Sequence, residues 1–454
     1  MSDQRQCYAG VDWGSQSHCV FLTDGDGRKM GERMFKHGGE GLAEMAAWLI
    51  ETSGAAEPGQ IQAAIEVPHG PVVETLIERG FQVHAINPKQ MDRFRDRFTM
   101  AGAKDDSRDA EVMASALRTD PRCFRRLVAA DPIIVELREH SRIAEDLGVE
   151  RNRLANRLRE QLWRYFPTML ELEDDLGAQW LLDLWAAAPT PQKASRLRGA
   201  TIVKLLKRHR IRRLDAGSIL EVLRRPPVRV AAGTVEAASA HIASLVPRIR
   251  LLNRQIKDAH HRIDALTARL MPAEETEPGQ TKQHDAEILA SLPGVGRTVL
   301  ATLLAEAWDA LQRRDYAALR SSGVAPVTKR SGKSCIVVRR QACHHRLANA
   351  VYHWARVAVQ HDPRSRSKYA QLRSRGHSHG RALRSVADRL LNVACAMLKS
   401  GATFNPSLAA QKSTCALLVA SAELIHRHFG RESSAAPITL LRAACAAGRL
   451  ARGD

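Results

Sequence analysis

The 454-residue chain reads as three folded parts of different class. Residues 1–131 form an α/β domain, 132–275 a long-helix and coiled-coil region, and 276–400 a mainly α domain with a helix-hairpin-helix-like element; an alanine-rich tail follows from 401 to 454. Three observations predict this. Short apolar strands alternate with helical patterns up to about residue 131, as in α/β domains with some parallel pairing. Strand patterns then stop and a heptad of Ile and Leu appears. Last, Leu292-Pro293-Gly294-Val295-Gly296 precedes an apolar helix, the arrangement in which a glycine turn offers backbone N–H groups to a phosphate, or else a plain turn between core helices.

Cys7 to Val11 and Ser17 to Thr23 read as paired strands, and Asp24-Gly25-Asp26-Gly27 turns into a polar strand from Lys29 to Phe35. Leu42 to Thr52 and Val72 to Arg79 have helical periodicity. Gln60 to Val67 and Gln82 to Asn87 are short strands, the second stopped by Pro88. Asp106 reads as the N-cap of a helix carrying Val112, Met113, Ala116 and Leu117. Ile134 to Phe166 is a long charged helix closed by Pro167, and Glu171 to Val230 reads as short helices punctuated by prolines. The heptad Ile242, Leu245, Ile249, Leu252, Ile256, Ile263, Leu266 and Leu270 predicts a coiled coil or an antiparallel hairpin, bent at Pro247, with an ordinary bundle helix as the equal alternative. Pro272 to Gln283 has linker composition.

Charge narrows the function. With 68 Lys+Arg against 49 Asp+Glu the chain carries +19, which points to a polyanionic partner, nucleic acid before membrane. Between Tyr316 and Ala387 fifteen Lys or Arg face one carboxylate, Asp362. The eight cysteines form no C-x-x-C pair, so a reducing cytoplasm is expected, and Cys335, Cys343, His344 and His345 match no zinc spacing. No signal pattern opens the chain and no apolar run is long enough to span a bilayer.

Four carboxylates stand at element ends. Asp12 lies just past an apolar strand, Glu66 ends another, and Asp106 and Asp109 are three apart at a helix start. A capped surface helix with an acidic first turn would explain the last two alone. Together the four match an RNase-H-like fold, which gathers such groups around two Mg²⁺ about 4 Å apart for phosphodiester chemistry. Asp12-Trp13-Gly14-Ser15 also resembles the phosphate turn of actin-like sugar kinases, but no second phosphate turn or adenosine motif accompanies it. In the last domain Ser331 sits among Lys329, Arg330 and Lys333, cations able to bind a phosphate and lower a hydroxyl pKa. An ordinary loop serine is the plainer reading of those residues.

The order Asp12, Glu66, Asn87-Pro88-Lys89-Gln90, Lys104, Asp106-x-x-Asp109-Ala110 resembles the DEDD-type transposases of the IS one-ten family. Leu292–Gly296, Gly323–Pro326, Ser331-Gly332, Tyr369–Gly376 and the helix from Ala382 to Leu398 extend the resemblance over residues 7–400. It implies a RuvC-like domain binding Mg²⁺ through Asp12, Glu66, Asp106 and Asp109, and a nucleophilic Ser331 that forms a phosphoserine link to DNA. It also implies donor and target DNA as substrates, a structured guide RNA from the element, a dimer or dimer of dimers, and a bacterial, nucleoid-associated location. Arg330 replaces the first of two serines usual in the family, leaving Ser334 as the fallback nucleophile, and Ala342-Cys343 replaces a Gly-Asn pair. The expected nucleic-acid contacts are Gly294, Gly296, Lys329, Arg330, Lys333, Arg339, Arg340, Arg364, Arg366, Arg373 and Arg375. Two rivals stand beside this reading: a Holliday-junction-type metal-dependent endonuclease, which would not need Ser331, and a nucleic-acid-binding scaffold, which would tolerate loss of all four acids.

Overall fold

The computed structural model describes residues 6–97, 105–129, 131–271, 285–320 and 322–405, and the chain divides into two compact units at Asp131/Pro132. Lys104, the linker at 272–283 and nearly all of the alanine-rich tail lie outside the described residues. Among those described, no helix is long and apolar enough to cross a membrane.

The first unit runs β1 (Cys7–Trp13), β2 (Ser17–Thr23), β3 (Lys29–Lys36), α1 (Gly39–Ser53), β4 (Ile61–Ile65), α2 (Pro71–Glu78), β5 (Gln82–Ala85), α3 (Pro88–Arg95), α4 (Asp106–Thr119) and β6 (Arg125–Arg126). The sheet order is β3-β2-β1-β4-β5-β6. β1 to β3 form an antiparallel meander, whereas β4 and β5 run parallel to β1 and β6 returns antiparallel to β5. Successive β1 side chains point to opposite faces, so Ala9 and Val11 join Met45, Leu49 and Leu76 from α1 and α2. The other face receives Val112, Met113 and Leu117 of α4 with Met91 of α3. Both faces are covered, which is why β1 and β4 read as apolar runs rather than alternating strands.

Two local details depart from the sequence reading. Asp105, in extended conformation, is the cap residue of α4, and Asp106 is its first helical residue. Pro88 ends β5 but also starts α3, because Pro fits the first helical turn and the Asn87 side chain accepts from the Lys89 N–H at 3.0 Å.

The second unit opens with α5 (Pro132–Tyr165). There follow α6 (Gln179–Ala187), α7 (Pro191–Ser195), α8 (Gly199–Arg208), α9 (Ala216–Leu223) and α10 (Thr234–Arg269). α10 packs along α5 in the opposite direction: Arg262 bridges Glu136, and Arg151 Nε donates to Asn253 at 2.6 Å. Ile242, Leu245, Ile249 and Leu252 lie buried in one core with Leu154, Leu158 and Leu162 of α5. That stretch of the heptad seam is thus filled from within the chain, and α10 runs through Pro247.

The remainder comprises α11 (Asp285–Ala290), α12 (Arg297–Glu306), α13 (Trp308–Gln312), α14 (Tyr316–Arg320), β7 (Val327–Ser331), β8 (Ser334–Val338), α15 (His345–His361), α16 (Pro363–Ser374) and α17 (His379–Ser400). The β7–β8 hairpin corrects the expectation that strands end near Pro132. Its strands hold β-branched Val327, Thr328, Ile336, Val337 and Val338 around Gly332 at φ +53°. A positive φ there suits a two-residue hairpin turn.

Candidate functional site

Asp12 and Glu66 are placed by strand pairing. Val11 pairs with Ile65 across the parallel β1–β4 ladder, so the residues that follow them, Asp12 within β1 and Glu66 just past β4, come to the same end of the sheet. Helix α4 supplies Asp106 and Asp109 from its first turn. It can approach because residue 10 has no side chain: a Cβ on Gly10 would stand 2.8 Å from the Ala114 N and closer still to the Ala110 carbonyl oxygen. Sequence position alone did not reveal this role for Gly10.

The charge field shows which acids gather. The buried Cys19 thiol, paired in register with Asp12, is pushed up to about 11 by burial first and then by Glu32, Asp106, Asp12 and Asp105. Glu32 of β3 is an addition to the predicted set. It accepts from the Ser107 hydroxyl in the first turn of α4 and from Lys29 at 2.8 Å, and these two bonds hold its carboxyl below the usual range.

Asp109 is held differently. It is buried at 3% exposure and gripped by both ends of the Arg95 guanidinium, Nε to Oδ1 at 2.5 Å and Nη2 to Oδ2 at 3.0 Å. Arg95 also reaches Asp92 at 2.5 Å, so α3 clamps the start of α4. Among the described residues no three His, Cys, Asp or Glu groups stand close enough together to hold a metal ion. Asp12 and Glu66 carry oxygen donors suited to a hard cation at the same end of the sheet, Asp106 comes near enough to Asp12 for both to act on Cys19, and both Asp109 oxygens face Arg95.

Ser331 and Ser334 face each other as the last pair before the hairpin turn, and both are exposed. Alternation sets Lys329 on the Ser331 face and Arg330 on the opposite one. Lys333 lies in the turn itself, so of the three flanking cations the strand places one beside the serine. The chain leaving β8 is anchored at its end. Glu306, on α12, receives two bonds from Arg142 at 3.1 and 3.2 Å and lies 3.3 Å from His344 Nε2. Burial opposes its charge, but the His344 and Arg142 hydrogen bonds prevail and hold it at about 2.

The helix-hairpin-helix-like element forms from α11, a glycine turn and α12. Gly294, at φ +83°, lies against α15: a Cβ would sit 2.8 Å from the Ala358 N, and Trp354 Nε1 donates to the Pro293 carbonyl at 3.0 Å. Gly294 therefore serves packing, whereas Gly296 at the start of α12 is exposed with open space around it.

The predicted arginines fall into two groups. Arg366 bonds the Val359 and Gln360 carbonyls and Arg373 the His377 carbonyl, so both tie helix ends together. Arg339 and Arg375 are exposed, and Arg340 and Arg364 are half-buried. Arg340 Nε and Arg364 Nη2 are buried donors without an acceptor. Arg384 is pulled below its usual range by burial and then by Arg339 and Arg381. Arg381 and Arg384 were missed because their proximity to Arg339 spans more than forty residues of sequence.

A DEDD-type transposase family model matches residues 9–167, and a second, for the IS116/IS110/IS902 transposase family, matches residues 286–370. A Sinorhizobium fredii protein bearing the transposase name y4uE is 81% identical over 216 residues, 48% of this chain and 60% of that protein. The IS117 mini-circle protein of Streptomyces coelicolor, likewise named as a transposase, is 31% identical over 403 residues, 86% of this chain and 93% of its own length. The 44.8 kDa protein of insertion element IS116 from Streptomyces clavuligerus is 28% identical over 407 residues, 88% of this chain and 96% of its own. On these matches the chain belongs to the IS110 family of insertion-sequence transposases.

Proposed function

We propose that the protein cuts and rejoins DNA with a metal-binding DEDD site and a nucleophilic serine, directed by a structured RNA from its own element. The observation that carries this reading is the seating of α4 on β1 at Gly10, with Asp12, Asp106 and Glu32 all acting on the one thiol of Cys19. The strand order, with β1–β3 antiparallel and β4 and β5 parallel to β1, supports an RNase-H-like, RuvC-like fold for this unit.

Asp12, Glu66 and Asp106 would hold Mg²⁺ once drawn closer together than they stand here, with Asp109 joining them on release from Arg95. Bound there, the ion would supply charge neutralisation for a phosphodiester. Ser331 Oγ attacks phosphorus, forming an Oγ–P bond as the P–O bond to the leaving strand breaks. The hydroxyl proton passes to the leaving oxygen. One ester replaces another, so rejoining needs no external energy source. Lys329, on the same face, offers its ammonium to the non-bridging oxygens. Asp12, Glu66 and Asp106 act through hard oxygen donors, which is why Mg²⁺ fits better than a softer ion. The +14 stretch from Tyr316 to Ala387 supports binding of more than one polyanion, donor and target DNA and a guide RNA. A dimer or dimer of dimers would present two serines to two strands.

Denaturing gels with labelled DNA test the serine. Ser331→Ala should bind DNA yet trap no protein–DNA adduct, and Ser334→Ala should still trap one. An adduct mapping to Ser334 would move the nucleophile across the hairpin. Strand exchange by the double variant with no adduct would favour water or 3′-hydroxyl attack and refute the serine step.

A further inference from the structure

A second basic surface lies where the sequence reading saw only short helices. Between Lys193 and Arg229 there are twelve Lys or Arg and two carboxylates, Asp215 and Glu221. All twelve are exposed. Two of them, Arg213 and Arg225, bridge Glu173 and Glu171. Asp215 is engaged by Ser218, which lowers its carboxyl below the usual range. The apolar side chains of α8, Ile202 and Leu206, are buried in the core, which turns Lys204, Lys207 and Arg208 outward. Arg210 and Arg212 follow directly. Like charges crowded this way repel, and a solvated surface gains nothing from them.

Position says what they meet. The core holding α8 and α9 includes Leu158 and Leu162 near the end of α5. The segment bearing the β7–β8 hairpin is bonded to the other part of α5, at Arg138 and Arg142. From Arg142 to Leu162 an α-helix advances about 30 Å, close to the roughly 34 Å of one turn of B-DNA. The two basic parts are thus carried on one helix, attached about one duplex turn apart along its axis, a separation one continuous double helix can span.

We propose that the α7–α9 tip binds the phosphate backbone of duplex DNA flanking the segment engaged by the hairpin-bearing part. The contacts are non-specific in sequence, as exposed Lys and Arg around a backbone are. They lengthen the footprint by about one helical turn, and they do not depend on the metal site.

The test uses the full-length protein in EDTA, so that binding is read without cleavage. The variant Lys204→Gln, Lys207→Gln, Arg208→Gln, Arg212→Gln changes four exposed side chains, and an unaltered melting temperature verifies its fold. On a 40-base-pair DNA duplex the log–log salt slope should fall by about 3 to 4, near 0.9 per contact. On a 12-base-pair duplex, too short to reach both surfaces at once, the slope should fall by less. Lys204→Arg, Lys207→Arg, Arg208→Lys, Arg212→Lys should restore the steep slope, and hydroxyl-radical footprints of the Gln variant should shorten by about ten base pairs. An unchanged slope and footprint on the long duplex would overturn the proposal. A loss confined to an RNA hairpin probe would also overturn it, by assigning the tip to RNA.

Discussion

Gly10→Ala is the sharpest perturbation of the proposed acidic site, because it adds one methyl where α4 rests on β1. That methyl would lie 2.8 Å from the Ala114 N and nearer the Ala110 oxygen. Carbon contacts settle at about 3.5 to 4.0 Å, so α4 must retreat by about 1 Å or more. Neither neighbour can swing aside, since both are helix backbone. The retreat loosens the packing of Ala110, Val112, Met113, Ala114 and Leu117, all buried. Overpacking of this kind costs about 1–3 kcal/mol, and the first unit should melt roughly 5–10 °C lower. The same retreat carries Asp106 away from Asp12. A displacement of about 1 Å costs on the order of 10²-fold in rate, so cleavage should fall at least that much while duplex binding holds. Calorimetry on the full-length protein and a strand-cleavage assay read both. Cleavage within threefold of wild type, with melting unchanged, would refute the role assigned to Gly10 and with it the convergence of Asp12 and Asp106.

Asp106→Ala or Asp12→Ala should abolish cleavage and leave DNA binding at least as tight, since an anion near the phosphates is removed; cleavage by the double variant in Mg²⁺ would sink the acid assignment. The Glu306 carboxyl, lowered to about 2 from an ordinary 4.5, stabilises the fold fully above pH 4.5. That contribution, on the order of 3 kcal/mol at most, is lost as pH falls from 4.5 toward 2. Glu306→Gln should therefore lower stability near neutral pH and flatten the acid limb of a denaturation series, and an unaltered limb would contradict the network. Arg384→Gln should reduce the salt slope of DNA binding by about 1, whereas Arg366→Gln, removing a bond to backbone carbonyls, should lower melting more than the slope. Equal slopes for both would erase the distinction between the two groups of arginines.

The sequence by itself determined the class of the first unit and the order of its elements apart from α3 and β6, which it did not announce. Period-2 and period-3.6 patterns are local, and β2 spans Ser17–Thr23 as the pattern predicts. It also placed Asp12, Glu66, Asp106 and Asp109 at element ends, because strand and helix termini follow from the residues beside them. The β7–β8 hairpin was less legible. Lys329, Arg330 and Lys333 mask the alternation of an exposed strand pair, which has no buried face to imprint a pattern. Only tertiary structure decided what required distant residues. The heptad of α10 reads alike whether its partner is another chain or α5, and long-range packing settled on α5. Gly10 and Gly294 are plain glycines until another helix is seen against them. Arg95 sits fourteen residues before Asp109, and no spacing rule announces that its guanidinium closes on that carboxylate. Charges act through space, so their partners emerge when the fold has set the distances.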